Sequence, residues 1–205
     1  EGKNTIAVVM FQDTGSSSDC LMGLQIKASD TLVLKAPDRI NVSFYGDTKT
    51  TKAITWISDG NGEESLVQYV DASTVSDIEG FDWSTANAVK ATRSGGAEVT
   101  NKAIINDLKI GTKYYFRAGG DDTFSAVGAF ETAGEDDGSF SFLHVTDQQG
   151  SSEADFTNWA KNIAGAIDTF PQTSFIVDTG DFVNDGLNED EWKYCYNLVA
   201  DTLMN

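Results

Sequence analysis

The chain has 205 residues, 40% of them hydrophobic and 11% aromatic, enough to bury a core across a sandwich and part of a second domain. Its 14 basic against 32 acidic side chains give a formal charge of -18, which excludes nonspecific attraction to nucleic acid or to an anionic membrane surface. The sequence reads without a signal peptide, a lipidation motif or an apolar run long enough for membrane insertion.

Residues 1–30 form an N-terminal extension in which 5–11 is a candidate extra strand and 13–19, rich in Asp, Gly and Ser, a loop. Short alternating segments follow at 31–34, 40–45, 52–57, 65–70, 86–92, 99–106, 113–118 and 126–132, separated by Gly, Asn, Asp and Ser. That spacing predicts an antiparallel β-sandwich over 31–134, with Trp56 the large inward residue of an early core strand. The run LKIGTKY at 108–114 is similar to the tyrosine-corner segment of fibronectin type III domains, with Ile110 where proline often sits. Tyr114 is then structural: its ring buries apolar area while its hydroxyl bonds back to the chain. No exposed aromatic cluster that would name a ligand is legible in the sandwich. Cys20 and Cys195 fall far apart in different units, and Cys195 reads as a small core residue on a helix rather than half of a disulfide.

A short polar linker, 133–138, leads into a different pattern and allows interdomain motion unless the two parts pack. SFSFLHVT at 139–146 and TSFIV at 173–177 are β-branched and aromatic runs that stop at carboxylates, and both read as buried parallel strands. Between them Ser152 and Asp155 suit a capping box, and Phe156, Trp159, Ala160, Ile163, Ile167 and Phe170 share one helical face. A second helix is predicted from Asn188 and Glu191, with Trp192, Cys195, Val199 and Leu203 as its apolar stripe. The expected fold is therefore an all-β sandwich followed by an α/β segment of order β, α, β, α over 135–205.

In open α/β sheets ligands bind beyond the carboxyl ends of the strands, where Asp147, Gln149 and Asp181 are expected. Carboxylate and amide oxygens suit hard or borderline cations, and an aspartate between two sites can bridge metals roughly 3.5–4 Å apart. Gly180 keeps the turn free of a Cβ beside Asp181. Either aspartate alone reads as an ordinary turn acid. His144 lies three residues before Asp147, so alternation puts it on the opposite face as a hydrogen-bonded strand histidine, and Asp178 and Asp185 read as loop acids.

At LHVTDQQ (143–149) and VDTGDFVNDG (177–186) the chain resembles the calcineurin-like metallophosphoesterases, and more narrowly the bacterial enzymes similar to purple acid phosphatases. The hairpin at 114–132 looks like the last one of the sandwich that precedes their catalytic domain, so the resemblance covers 31–205. It implies a purple acid phosphatase N-terminal-like sandwich at 31–134 and the beginning of a phosphoesterase domain at 135–205. It also implies two divalent or mixed-valence metal ions (iron, zinc, manganese or magnesium) and a phosphate ester substrate. Asp147 would bind the first metal and Asp181 bridge the two, with Gln149 and Asn184 as further candidate ligands. Gln149 stands where the wider family usually carries His, and Asn184 where purple acid phosphatases carry Tyr. No Gly-Asn-His element occurs, and the chain has one histidine.

The expectation is the N-terminal portion of a metal-dependent phosphoesterase, inactive alone, whose later ligands come from a C-terminal catalytic portion in the same or a second chain. The alternatives are an extracellular binding or adhesion module carrying a phosphoesterase remnant, or one half of a two-chain enzyme. A secreted or cell-surface location is expected from the fibronectin-like module and the resemblance, with neither nucleic acid nor membrane insertion as a partner.

Overall fold

The computed structural model describes residues 34–75, 81–93, 97–135 and 139–204. The candidate strand at 5–11, the loop at 13–19, Cys20 and all but the last residue of the segment at 31–34 lie outside the described residues.

Among the described residues eight strands make the sandwich: β1 (Asp38–Ser43), β2 (Lys52–Asp59), β3 (Leu66–Asp71), β4 (Ser84–Thr92), β5 (Glu98–Ile105), β6 (Lys113–Gly120), β7 (Thr123–Phe124) and β8 (Gly128–Glu131). Every pairing among them is antiparallel. One sheet runs β1-β2-β5-β4 and the other β4-β3-β6, with β7 and β8 both on β6. β4 belongs to both, because residues 84–87 pair with β3 and 88–92 with β5.

Period-two alternation aims Ile54 and Trp56, Val67, Ala103 and Ile105, and Tyr114, Phe116 and Ala118 into one core. Burying each of the larger side chains stabilises the fold by roughly 1.5–3 kcal/mol, and Trp56 retains only 1% of its exposure. Buried Asn101 is held by hydrogen bonds, donating to Ser58 Oγ at 2.9 Å and accepting from Ser65 Oγ at 2.6 Å. The tyrosine corner is formed: the Lys109 amide donates to the Tyr114 hydroxyl at 2.9 Å while the Tyr114 ring is buried against Phe130.

The α/β segment contains β9 (Ser141–Val145), α1 (Glu153–Thr169), β10 (Thr173–Asp178), α2 (Glu189–Asn197) and a short α3 (Ala200–Leu203). The predicted capping box opens α1, with Ser152 and Asp155 bonding each other's backbone amides. Asn188 caps α2 by accepting from the Asp190 amide. β9 and β10 pair in parallel, as expected from their sequence.

They are not buried strands, however. Phe142 is 48% exposed, Phe140 just before β9 is 68% exposed, and His144 is exposed on the same strand face as Phe142. Phe142 stacks on Phe175 at 5.3 Å, and Phe44 of the sandwich meets Phe175 edge-on at 5.3 Å. The apolar pattern is that of a covered sheet, but Phe44 reaches Phe175 and leaves Phe140 and Phe142 open among the described residues.

The two parts pack against each other. Arg39, almost fully buried and with a positive φ of 50°, donates through its side chain to Asp38 (2.8 Å), Glu98 (2.7 Å) and Glu189 of α2 (2.9 Å). Its amide also donates to Asn197 Oδ1 at 2.9 Å. Arg93 reaches the same Glu189. At the other contact the Ala129 amide donates to the Met204 carbonyl at 2.6 Å, and a Cβ at Gly128 would lie 2.5 Å from that carbonyl oxygen, so β8 accepts only glycine there.

Candidate metal centre

β9 and β10 end side by side, with Val145 in register with Asp178. Each strand then turns sharply through an aspartate in the left-handed region: Asp147 at φ 58° and Asp181 at φ 54°, the latter after Gly180 at φ 126°. Aspartate tolerates this region better than most residues but still at a cost of about 1 kcal/mol. Asp107, Asp121 and Asp122 adopt it in the sandwich, so the conformation marks tight turns generally. What is particular here is that two such turns lie next to each other at the carboxyl ends of parallel strands.

Backbone bonds stitch the turns together. The Asp147 amide donates to the Gly180 carbonyl and the Thr179 amide to the Val145 carbonyl, both at 3.1 Å. Asp178 Oδ1 accepts from the Gly180 amide at 2.9 Å, and its other oxygen accepts a short bond from Gln148 Nε2. Oriented to satisfy its surroundings, the Gln149 amide nitrogen donates to the carbonyls of both Asp147 and Asp181 at 3.1 Å. The structure therefore brings Asp147, Gln149 and Asp181 together. Gln149 acts there as a tie between the two turns, a role that its spacing did not indicate.

Asn184 is exposed in the loop leading to α2, where its side chain makes no hydrogen bond among the described residues. His144 bonds the Thr179 hydroxyl through Nε2 at 3.0 Å, as expected of a strand histidine. Asp185 organises the entry to α2: its carboxylate accepts from the Leu187 amide, and its own amide donates to buried Glu191 at 2.8 Å.

Beneath the turns lies a polar cluster that sequence reasoning passed over. Gln148 is buried, bonded to Asp178, and its Oε1 has no partner among the described residues. The free thiol of Cys195 sits beside it, pushed up to about 12 by burial first and by the Asp178 carboxylate second, with a Gln148 hydrogen bond partly opposing them. Tyr196 is raised by the same burial and neighbours. Such a thiol is inert at neutral pH, which suits a packing residue.

The donor chemistry tests a dinuclear centre directly. Asp147 and Asp181 are both exposed where the two parallel strands end, and among the described residues no group of three or more His, Cys, Asp or Glu side chains is arranged to hold a metal ion. Two exposed turn aspartates do not by themselves fit a two-metal centre.

Residues 37–132 match the family described as Purple acid Phosphatase, N-terminal domain. That match lies wholly within the sandwich and stops before β9, so Asp147 and Asp181 fall outside it. No curated protein matches the chain. Among solved structures, one described as the structure of PhoD is 13% identical, with 82% of this chain and 37% of that chain covered at a TM-score of 0.45. Another, of Astrotactin-2, is described as a conserved vertebrate-specific and perforin-like membrane protein involved in neuronal development. It is 11% identical, with 64% and 25% covered at a TM-score of 0.35. The chain thus spans about a third of the PhoD chain, and neither likeness bears on activity.

Proposed function

We propose that this chain is the N-terminal portion of a calcineurin-like metallophosphoesterase of the purple acid phosphatase-like branch, contributing the sandwich and the first two carboxylates of a dinuclear metal centre. The observation that carries this reading is the pair of left-handed aspartates, Asp147 and Asp181, at adjacent parallel strand ends and tied by the Asp147 amide to the Gly180 carbonyl. The purple acid phosphatase match of the preceding sandwich supports it, because the order of parts then agrees with the resemblance carried by residues 143–149 and 177–186.

In this reading Asp147 and Asp181 are the metal ligands of this half. Gln149 holds their turns in place and Asn184 is a weaker candidate. The remaining ligands come from further polypeptide, in the same chain or another. A protein carrying -18 repels phosphate esters, so substrate binding depends on metal charge reversing the local field.

The test is hydrolysis of an aryl phosphate with manganese, zinc or iron supplied. The 205-residue chain is expected to give no metal-dependent turnover. The protein as its host makes it is expected to turn over and to lose that activity on Asp181→Asn. Enzyme-like turnover by this chain, or an Asp181→Asn protein that keeps full activity, would sink the proposal.

A further inference from the structure

Arg39 interrupts the strand that carries it. It stands at φ 50°, and the β1–β2 register shifts between Asp38 and Asn41, so a bulge breaks the ladder at this residue. A non-glycine residue held in the left-handed region is strained, and a bulge re-aims what it carries. Here both the amide and the side chain are aimed at one helix, and at its two ends. The amide donates to Asn197 Oδ1, on the last residue of α2, and the guanidinium donates to Glu189, on the first, both at 2.9 Å. Asp38 and Glu98 accept from the rest of the guanidinium at 2.8 and 2.7 Å. Arg93 adds a second cation to Glu189, at that end of the helix.

α2 in turn supports both strand-end turns. Its buried Cys195 lies against Gln148, the residue between Asp147 and Gln149, and against Asp178, three residues before Asp181. Gln148 donates to Asp178, whose other oxygen accepts from the Gly180 amide. Buried Glu191 accepts from the Asp185 amide at 2.8 Å and from Asn188 Nδ2 at 3.1 Å, fixing the loop that runs from Asp181 to the helix. Arg39 is therefore joined to each aspartate turn through one helix and a few hydrogen bonds. The two parts of the chain also meet where the Ala129 amide donates to the Met204 carbonyl, so their attachment does not rest on Arg39 alone. What Arg39 adds is the placement of α2.

We propose, resting on the reading of Asp147 and Asp181 as metal ligands, that Arg39 of the sandwich is a positioning residue for the candidate centre: by holding both ends of α2 it sets where the two turns sit, and so the separation of their carboxylates. Ligands act together on a metal only when held within about 0.5 Å of the productive geometry by groups that are themselves locked. Asp147 and Asp181 are exposed, so their placement comes from the backbone of the turns, and the turns are held from α2 through Gln148, Asp178 and Asp185. Charge alone predicts the opposite effect for loss of Arg39. Removing a cation from a chain of charge -18 favours metal binding, so a loss of metal affinity reports geometry.

Manganese titration of the 205-residue chain, followed by broadening of the amide signals of residues 147–149 and 180–181, tests the proposal. Arg39→Met is expected to weaken manganese binding at these turns about fivefold or more, and to shift the same amide signals in the metal-free protein. Asn197→Ala removes the acceptor at the far end of α2, at an exposed position and with no change of charge, and should weaken binding about twofold to threefold. Val67→Ala, in the sandwich core on β3, should lower unfolding stability and leave manganese affinity unchanged. Where Arg39→Met does not fold, Asn197→Ala decides alone. The proposal is overturned if the parent binds manganese at these turns and the folded variants bind it equally well, or if Val67→Ala weakens binding as much as they do. A parent whose turns manganese leaves sharp overturns the metal-ligand reading itself, and this inference with it.

Discussion

The sandwich and the α/β segment obey the same patterning rules and end in different states. In the sandwich, each inward position finds a partner from the opposite sheet, so Trp56, Phe116 and Val67 lose nearly all contact with solvent. In the α/β segment two strands and a capped helix form as their sequences require, yet Phe140 and Phe142 remain open and Phe170 at the end of α1 is half exposed. Local propensity suffices to build elements, whereas burial requires a second layer. The proposed metal carboxylates sit on the part that has less of it.

Core truncation should separate the two regions most sharply. Phe116→Ala is expected to cost about 4 kcal/mol in denaturant unfolding, whereas Phe142→Ala, losing an exposed ring, should cost under about 1 kcal/mol. Equal losses would mean that the exposed strand face is covered in solution.

Arg39→Met comes next, at about 3 kcal/mol, because it leaves Asp38, Glu98 and Glu189 facing one another without their common cation. Hydrogen exchange should rise first in α2 while the sandwich core stays protected. Acid should act on the same contact. Burial alone would raise Asp38, but bonds from Lys35 and Arg39 lower it; Glu98 is likewise lowered by Arg39 against burial. With both held below their unfolded values, their contribution is complete above the ordinary carboxylate range and is lost as pH falls through the lowered values.

A smaller effect tests the corner of the sandwich. Tyr114→Phe removes the acceptor for the Lys109 amide and should cost about 1 kcal/mol with the fold unchanged. Smallest of all, the Asp71 carboxyl, bonded by Lys109 and Ser73, should titrate at about 2 by NMR. A midpoint near the ordinary 3.8 would show that the Lys109 bond is absent in solution.

Much of this was legible in the chain. The tyrosine corner followed from the likeness of residues 108–114 to that segment of fibronectin type III domains, Trp56 from its place in an alternating run, and both helix starts from their caps. Residues 139–146 misled on burial, because β-branched and aromatic content reports strand preference while exposure depends on what lies over the sheet. The Arg39 hub left no local signal, since Glu98 and Glu189 lie far away in sequence. At the candidate centre the sequence picked out Asp147 and Asp181, but the tying role of Gln149 depends on backbone carbonyls that only the two turns bring within reach.

The most direct test of the paired aspartates is paramagnetic broadening of amide NMR signals during a manganese titration of this chain. Broadening centred on residues 147–149 and 180–181, lost in Asp147→Asn and in Asp181→Asn, is the predicted result. Broadening centred on other acids, or signals from these turns that manganese leaves sharp, would contradict a metal half-site there.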